Sequence, residues 1–313
     1  MNGTVAITDH GWYEFLAAQQ GLDEVNFWTP SAHFALLAEP GSPFFFKLKA
    51  RYHHAVCGFA FFSRFARVPD WLAWESFGEK NGSPSLEAMR RKIHGLRKSF
   101  QYQNQGGPDE IGCILLSQPS FFAPEDWVVG PKDWPLANLR NKKYDIETGE
   151  GRRLWEECVS RVASPLAIAR EATRLDGSSP RYGQPQLVPS RLGQGTFRIS
   201  VMDAYSRACA LTGEHSLPAL EAGHIRPYAQ DGPHDVRNGV FLRADLHRLF
   251  DQGYVTITTD YRLEVSARLR LDYSNGRTYY PLHGNLLRLP RSGVEAPAEE
   301  FLRWHNEKVF RAA

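Results

Sequence analysis

The segment from Leu220 to Gly253, LEAGHIRPYAQDGPHDVRNGVFLRADLHRLFDQG, allows few folds. Leu220 to Ile225 is a short apolar run that stops at Pro227, which reads as a strand. Turn formers follow in Asp231-Gly232-Pro233 and again in Asn238-Gly239, and Asn-Gly is the strongest two-residue hairpin signal. Val240-Phe241-Leu242 is the returning strand. Asp245 can cap a helix through Leu246, Leu249 and Phe250, which Gly253 closes. The order is therefore strand, loop, strand, helix.

On that order His247 and Asp251 stand four apart on one helix face, a spacing that lets both side chains meet one ion. His224 ends the facing strand and is expected to point into the same cleft. A metal held by imidazole and carboxylate, opposed by an imidazole free to take a proton from water, suits phosphodiester cleavage. No packing requirement selects His-x13-Asn-x8-His over this segment.

The pattern GHIRPY…NGVFLRADLHRLFD, with its TGE lead-in from Thr212, resembles the HNH endonucleases of the His-Me finger (ββα-metal) class. The resemblance implies His224 as general base, Asn238 as the residue fixing the loop and the base, and His247 as a metal ligand. It sets Asp251 where related nucleases carry a second ligand. The implied cofactor is a divalent ion, Mg²⁺ or Mn²⁺ first, with Zn²⁺, Ni²⁺ or Co²⁺ possible. One departure concerns the position before the base, where many relatives carry Asp or His and this chain has Gly223. Glu221, two residues back, shares the face of Gly223 and not that of His224.

At 313 residues the chain is expected to form two domains. No run approaches the ~20 apolar residues that a membrane span requires. The start, MNGTVAITDHGWYEF, lacks the basic head and apolar stretch of a secretory leader, so a cytoplasmic location is expected. Cys57, Cys113, Cys158 and Cys209 form no CxxC pair, which argues against a disulfide framework and a zinc knuckle. Residues 1–150 hold 15 Lys+Arg against 17 Asp+Glu, whereas residues 151–313 hold 22 against 18, and 21 of those 22 are Arg. Arginine suits bidentate phosphate contacts, so double-stranded DNA is the expected partner, with Arg191, Arg226 and Arg243 as phosphate contacts. A single nuclease site cuts one strand, so a homodimer is expected for double-strand cleavage.

The N-terminal part reads as mixed α+β. Helices are expected at His10–Gln20, Trp71–Gly78 and Ser85–Phe100, with strands at Phe44–Lys49, Ala55–Phe65 and Ile111–Ser117. A small curved sheet or open barrel is the natural solution for such a unit. The order FWTPS, FFFKLK, AVCGFAFF, LAWESFGEKNG, IGCILLSQPSFF is similar to N-terminal domains fused to HNH nucleases in restriction enzymes, and its layout resembles the PUA-like group that includes SRA, EVE and YTH modules. That resemblance implies an aromatic pocket for a flipped, modified base, with Trp28, Tyr52 and Trp74 as stacking faces and Asn81 reading the base edge.

The expected organisation is a PUA-like recognition domain over residues 1–130, a linker and bracing helix over 131–180, and an HNH nuclease domain over 181–313. Arg268 and Arg270 are expected on one face of a strand, and a closing helix over Pro297–Phe310. The function expected is restriction of DNA carrying modified cytosine. Two other readings compete: a defence nuclease gated by a nucleotide signal or protein on the N-terminal domain, and a DNA-binding module without catalysis.

Overall fold

The computed structural model describes residues 1–32, 38–100, 109–135, 139–162 and 193–312. The expected phosphate contact Arg191 lies outside these residues. The chain divides into two compact units, Met1–Ser190 and Arg191–Ala313. No helix among the described residues is long and apolar enough to cross a membrane.

In the first unit, Asn2–Ile7 (β1), Glu24–Thr29 (β2), Pro43–Lys47 (β3), Val56–Pro69 (β4), Glu110–Phe121 (β5) and Asn141–Asp145 (β6) form one sheet in the order β2-β5-β4-β3-β1-β6. β1 and β3 run parallel, and the other neighbouring pairs are antiparallel. The run Phe44-Phe45-Phe46 explains how the sheet is covered. Successive side chains on a strand point to opposite faces, so an unbroken apolar run needs cover on both. Phe44 and Phe46 pack with Trp12, Tyr13 and Leu16 of the helix His10–Ala17 (α1). Phe45 packs on the other side with Leu154 and Cys158 of the helix Gly149–Val162 (α4). Asp70–Phe77 (α2) and Leu86–Phe100 (α3) complete the unit.

β6 and α4 belong to the first compact unit. β6 and α4 fall where a linker and a bracing helix were expected, yet β6 hydrogen-bonds to β1 and α4 seals one face of the sheet. The sequence NKKYD of β6 is polar because it forms the sheet's outer strand, and only Tyr144 turns inward to be buried. β1 was not expected either. It is short, and its TVAI core offers no alternation to set it apart from a loop.

In the second unit the helix Gln194–Ala204 (α5) leads to the antiparallel pair Leu220–His224 (β7) and Gly239–Arg243 (β8), and then to the helix Ala244–Asp251 (α6). Strand, loop, strand and helix follow one another as the sequence predicts. Val255–Ile257 (β9) and Leu263–Val265 (β10) pair as an antiparallel hairpin. The helix Glu299–Lys308 (α8) closes the unit, with His305 buried against Phe250. Arg268 and Arg270 do not share a strand face, because Arg268–Tyr273 is a short helix (α7). There residues two apart diverge. The chain as a whole has the α+β composition expected.

Candidate active site

β7 and β8 are in register with His224 opposite Gly239 and Gly223 opposite Val240. The pleat sends neighbouring residues of β7 to opposite faces, and both faces are used. On one, the His224 ring stacks on Phe197 of α5, with 3.9 Å between centroids and 12° between planes. Gly239 lies on that face too: a Cβ there would meet Val201 and Phe197. On the other, the His247 ring of α6 covers Gly223 so closely that a Cβ would fall 2.5 Å from it. The two imidazoles thus reach β7 from different sides, which modifies the expectation of a common cleft. They meet electrically at the end of the strand: burial holds the His224 pKa down at about 4, with His234 and then His247 as further causes.

His224 has a neighbour that the spacing of the motif does not reveal. Its Nε2 lies 2.9 Å from Nδ1 of His234, which in turn stacks on the exposed ring of Tyr228 at 4.5 Å. With Nε2 so engaged, Nδ1 is the His224 nitrogen left to exchange a proton. Neither Phe197 nor His234 was a candidate in the sequence. A Phe on an upstream apolar helix reads as core, and a His between Pro233 and Asp235 reads as solvated loop.

Asn238 is fully buried and spends its whole amide on the loop that follows β7. Its Oδ1 accepts from the Arg226 amide at 2.9 Å, and its Nδ2 donates to the carbonyl oxygens of Arg226 at 2.9 Å and Pro233 at 3.0 Å. The Asn238 carbonyl also accepts from the Ile225 amide at 2.9 Å. One side chain thereby ties both ends of the loop to β8 directly beside His224.

His247 stands between two carboxylates. Its Nδ1 is 2.7 Å from Glu221 Oε2, and its Nε2 is 3.5 Å from Asp251 Oδ2. Burial raises the Asp251 pKa, with His247 opposing that shift. Glu221 reaches His247 because both occupy the Gly223 face, the geometry that the pleat predicted for it. A carboxylate on one imidazole nitrogen fixes the ring and its tautomer and leaves the other nitrogen beside an oxygen donor. Imidazole and carboxylate donors of this kind fit a divalent cation. Among the described residues, no group of three or more His, Cys, Asp or Glu side chains is drawn together tightly enough to hold a metal as it stands. All four cysteines are buried and form no disulfide.

The expected phosphate contacts fare differently. Arg243 forks onto Asp245, with bonds of 3.0 and 2.5 Å. Asp245 accordingly sits in the first turn of α6 instead of capping it. The Arg226 Nε donates to the Gln230 carbonyl at 2.6 Å, and the guanidinium lies 5.7 Å from the Trp304 ring centroid.

A cavity of about 1250 Å³ opens in the first unit. Of the four expected pocket residues only Trp28 lines it, with its ring pinned by a 2.9 Å bond from Nε1 to the Asn81 carbonyl. Asn81 does not line the cavity. It is fully buried, donates to the Ala73 and Gly78 carbonyls and accepts from Asn26 Nδ2, so its amide is spent on the fold. Tyr52 stacks on His10 at 3.9 Å, away from the lining, and Trp74 is not part of the lining either. Trp12, Phe27 and Trp134 supply the other aromatic walls.

Residues 209–258 match the family model described as HNH endonuclease. No curated protein matches the chain. Among solved structures, ASCH from Zymomonas mobilis is similar at 12% identity and a TM-score of 0.31, over 49% of this chain and 94% of that one. A modification-dependent restriction endonuclease, TagI, is similar at 12% identity and a TM-score of 0.31, over 97% of this chain and 81% of that one.

Proposed function

We propose, on the premise that residues 209–258 are an HNH endonuclease domain, that this protein is a metal-dependent endonuclease hydrolysing phosphodiester bonds in double-stranded DNA. Its biological target is DNA carrying modified cytosine, with the first unit as the reader. The observation that carries the nuclease reading is the Glu221–His247–Asp251 row beside a neutral, stacked His224.

In this reading His224 takes a proton from water through Nδ1, while His234 holds Nε2 and Phe197 holds the plane of the ring. The negative charge of a bound phosphodiester favours the protonated imidazole and so offsets the burial that weakens His224 as a base. Asn238 keeps the strand end and its loop in one geometry. Glu221 orients His247 through Nδ1, and His247 Nε2 with Asp251 would hold the divalent ion. When bound, that ion supplies a positive charge against the charge developing on the phosphate and the leaving 3′ oxygen. Two copies of the chain would cut both strands.

The test uses plasmids of one sequence, prepared with and without modified cytosine, in Mg²⁺ or Mn²⁺. Preferential cutting of the modified plasmid by the full chain, lost in His224→Ala, is the expected result. Equal cutting removes the modification dependence, and no cutting of any DNA in any divalent ion removes the nuclease.

A further inference from the structure

The cavity of the first unit holds a lysine that packing does not account for. Lys47 ends β3 and is only 1% exposed. Its ammonium donates to the Leu48 carbonyl at 3.3 Å, meets His54 Nδ1 at 3.0 Å and lies 4.5 Å from the centroid of the Trp134 ring. Among the described residues no carboxylate stands within ion-pair distance of it. Burial pulls its pKa below the usual lysine range, and His54 is lowered by burial and by Lys47. A buried cation without a counter-charge is costly, and a Met of similar length would fill the space more cheaply.

The surroundings supply what a ligand for that cation would need. Lys49, Lys92, Lys132 and Arg140 also line the cavity, against the one carboxylate of Asp9 among the described lining residues. Asp9 is already occupied, accepting from the Trp12 amide at 3.0 Å as the cap of α1. The walls are aromatic on several sides, with Trp28 held by its indole bond and Trp134 under the ammonium. The volume exceeds that of common small-molecule sites, so it admits a base together with its sugar and phosphate.

We propose that this cavity binds a nucleotide, with the planar base against the tryptophan walls and an anionic group, a phosphate or a carboxylate on the base, seated on Lys47. The inference rests on the reading of the first unit as the reader only for its consequence for cleavage, since binding can be measured alone. A nucleotide can arrive as a free mononucleotide or as a residue extruded from a strand, and the same chemistry serves both.

The experiment titrates the full chain by tryptophan fluorescence with two matched pairs. One pair is deoxycytidine 5′-monophosphate against deoxycytidine. The other is a duplex carrying 5-carboxycytosine against the same duplex carrying 5-methylcytosine. The anionic member of at least one pair is expected to bind about tenfold tighter or better, a preference lost in Lys47→Met and partly kept in Lys47→Arg. Lys47→Met is expected to unfold at the same temperature or higher. A preference in the first pair identifies a free nucleotide, and one in the second an extruded base. Equal binding within both pairs, no binding at millimolar probe, or an anion preference that survives in Lys47→Met overturns the proposal. Should Lys47→Met fail to fold, the preference of the unaltered chain together with Lys47→Arg decides. DNA cutting is scored separately: a working nuclease with an indifferent cavity sinks this inference alone, and a cavity that selects anions beside an inactive nuclease sinks the proposed function alone.

Discussion

The His247 ring fills the space that a side chain at position 223 would occupy, lying 2.5 Å from where a Gly223 Cβ would stand. The glycine leaves the room on β7 that the His247 side chain of α6 takes. A ligand from position 223 and a histidine in this position exclude each other, and Glu221 touches His247 from one turn of the pleat away.

Gly223→Ala therefore displaces His247. We expect DNA cutting to fall by about 10–100-fold, because the ring leaves Glu221 and Asp251 together. The unfolding temperature should move little, since the clash is with the far end of a side chain. Cutting rates and thermal unfolding of the same preparation check this, and unchanged cutting would show that His247 need not sit over the glycine.

Glu221→Gln tests how His247 is held. Loss of the carboxylate from Nδ1 should raise the Mg²⁺ or Mn²⁺ concentration for half-maximal cutting by about 10–100-fold, with cutting recovered at high metal. Asp251→Asn should raise that concentration as well. Chelation with EDTA should abolish cutting, and readdition of a divalent ion should restore it. Metal titrations of the two variants that overlay the unaltered protein would refute the assignment.

His224→Ala should lower cutting by at least about 100-fold with DNA affinity retained. Phe197→Leu keeps the apolar volume and removes the stack, so cutting should fall by about tenfold with an altered pH profile. A Phe197→Leu profile superimposable on the parent would mean that the stack has no part in setting the base.

Asn238→Ala leaves two carbonyls and one amide of the 226–233 loop without partners. At about 1 kcal/mol or more for each buried group left unpaired, the second unit should lose about 3 kcal/mol, which differential scanning calorimetry reads as a fall of ~10 °C. Asn238→Asp keeps the acceptor but loses both donors, and should be as unstable or worse.

The second unit should also lose stability in acid. His305 is buried, its Nε2 bonds to the Phe250 carbonyl at 3.0 Å and its Nδ1 to Thr256 Oγ1 at 2.7 Å, and burial depresses its pKa to about 4. The unfolded chain, at 6.5, binds a proton that the folded chain refuses, so the contribution is intact above about pH 6.5 and is lost as pH falls towards 4. His224 acts in the same direction. Urea unfolding from pH 7 to 4 should show the decline, with a shallower slope in His305→Gln. An equal slope would place the acid sensitivity elsewhere.

Much of the second unit can be read directly from the chain. The Asn-Gly turn and the apolar runs around it predict β7 and β8, and the spacing of four predicts that His247 meets Asp251. What escapes is whatever depends on a partner distant in sequence. Phe197 lies 27 residues before His224, and nothing in a helix that is buried nearly all round marks the one ring that will stack on an imidazole. His234 looks like loop because its role exists only once Asn238 has folded that loop back. Asn81 misleads in the opposite sense: beside Gly82 and a charged turn it looks exposed, whereas Asn26 and two carbonyls consume it. Lys47 follows three phenylalanines, and charge on a strand end suggests solvent until β3 is seen to be covered on both sides.

The pairing of β6 with β1 carries one further consequence, for synthesis on the ribosome. Residues 2–6 leave the ribosome well before residues 141–145, without which their hydrogen bonding stays incomplete. For that interval the growing chain carries a bare strand edge next to β3, which invites pairing with a neighbouring copy. The lysines of β6 cannot guard that edge until they arrive, so early interruption of translation should yield aggregates rather than a shorter folded unit.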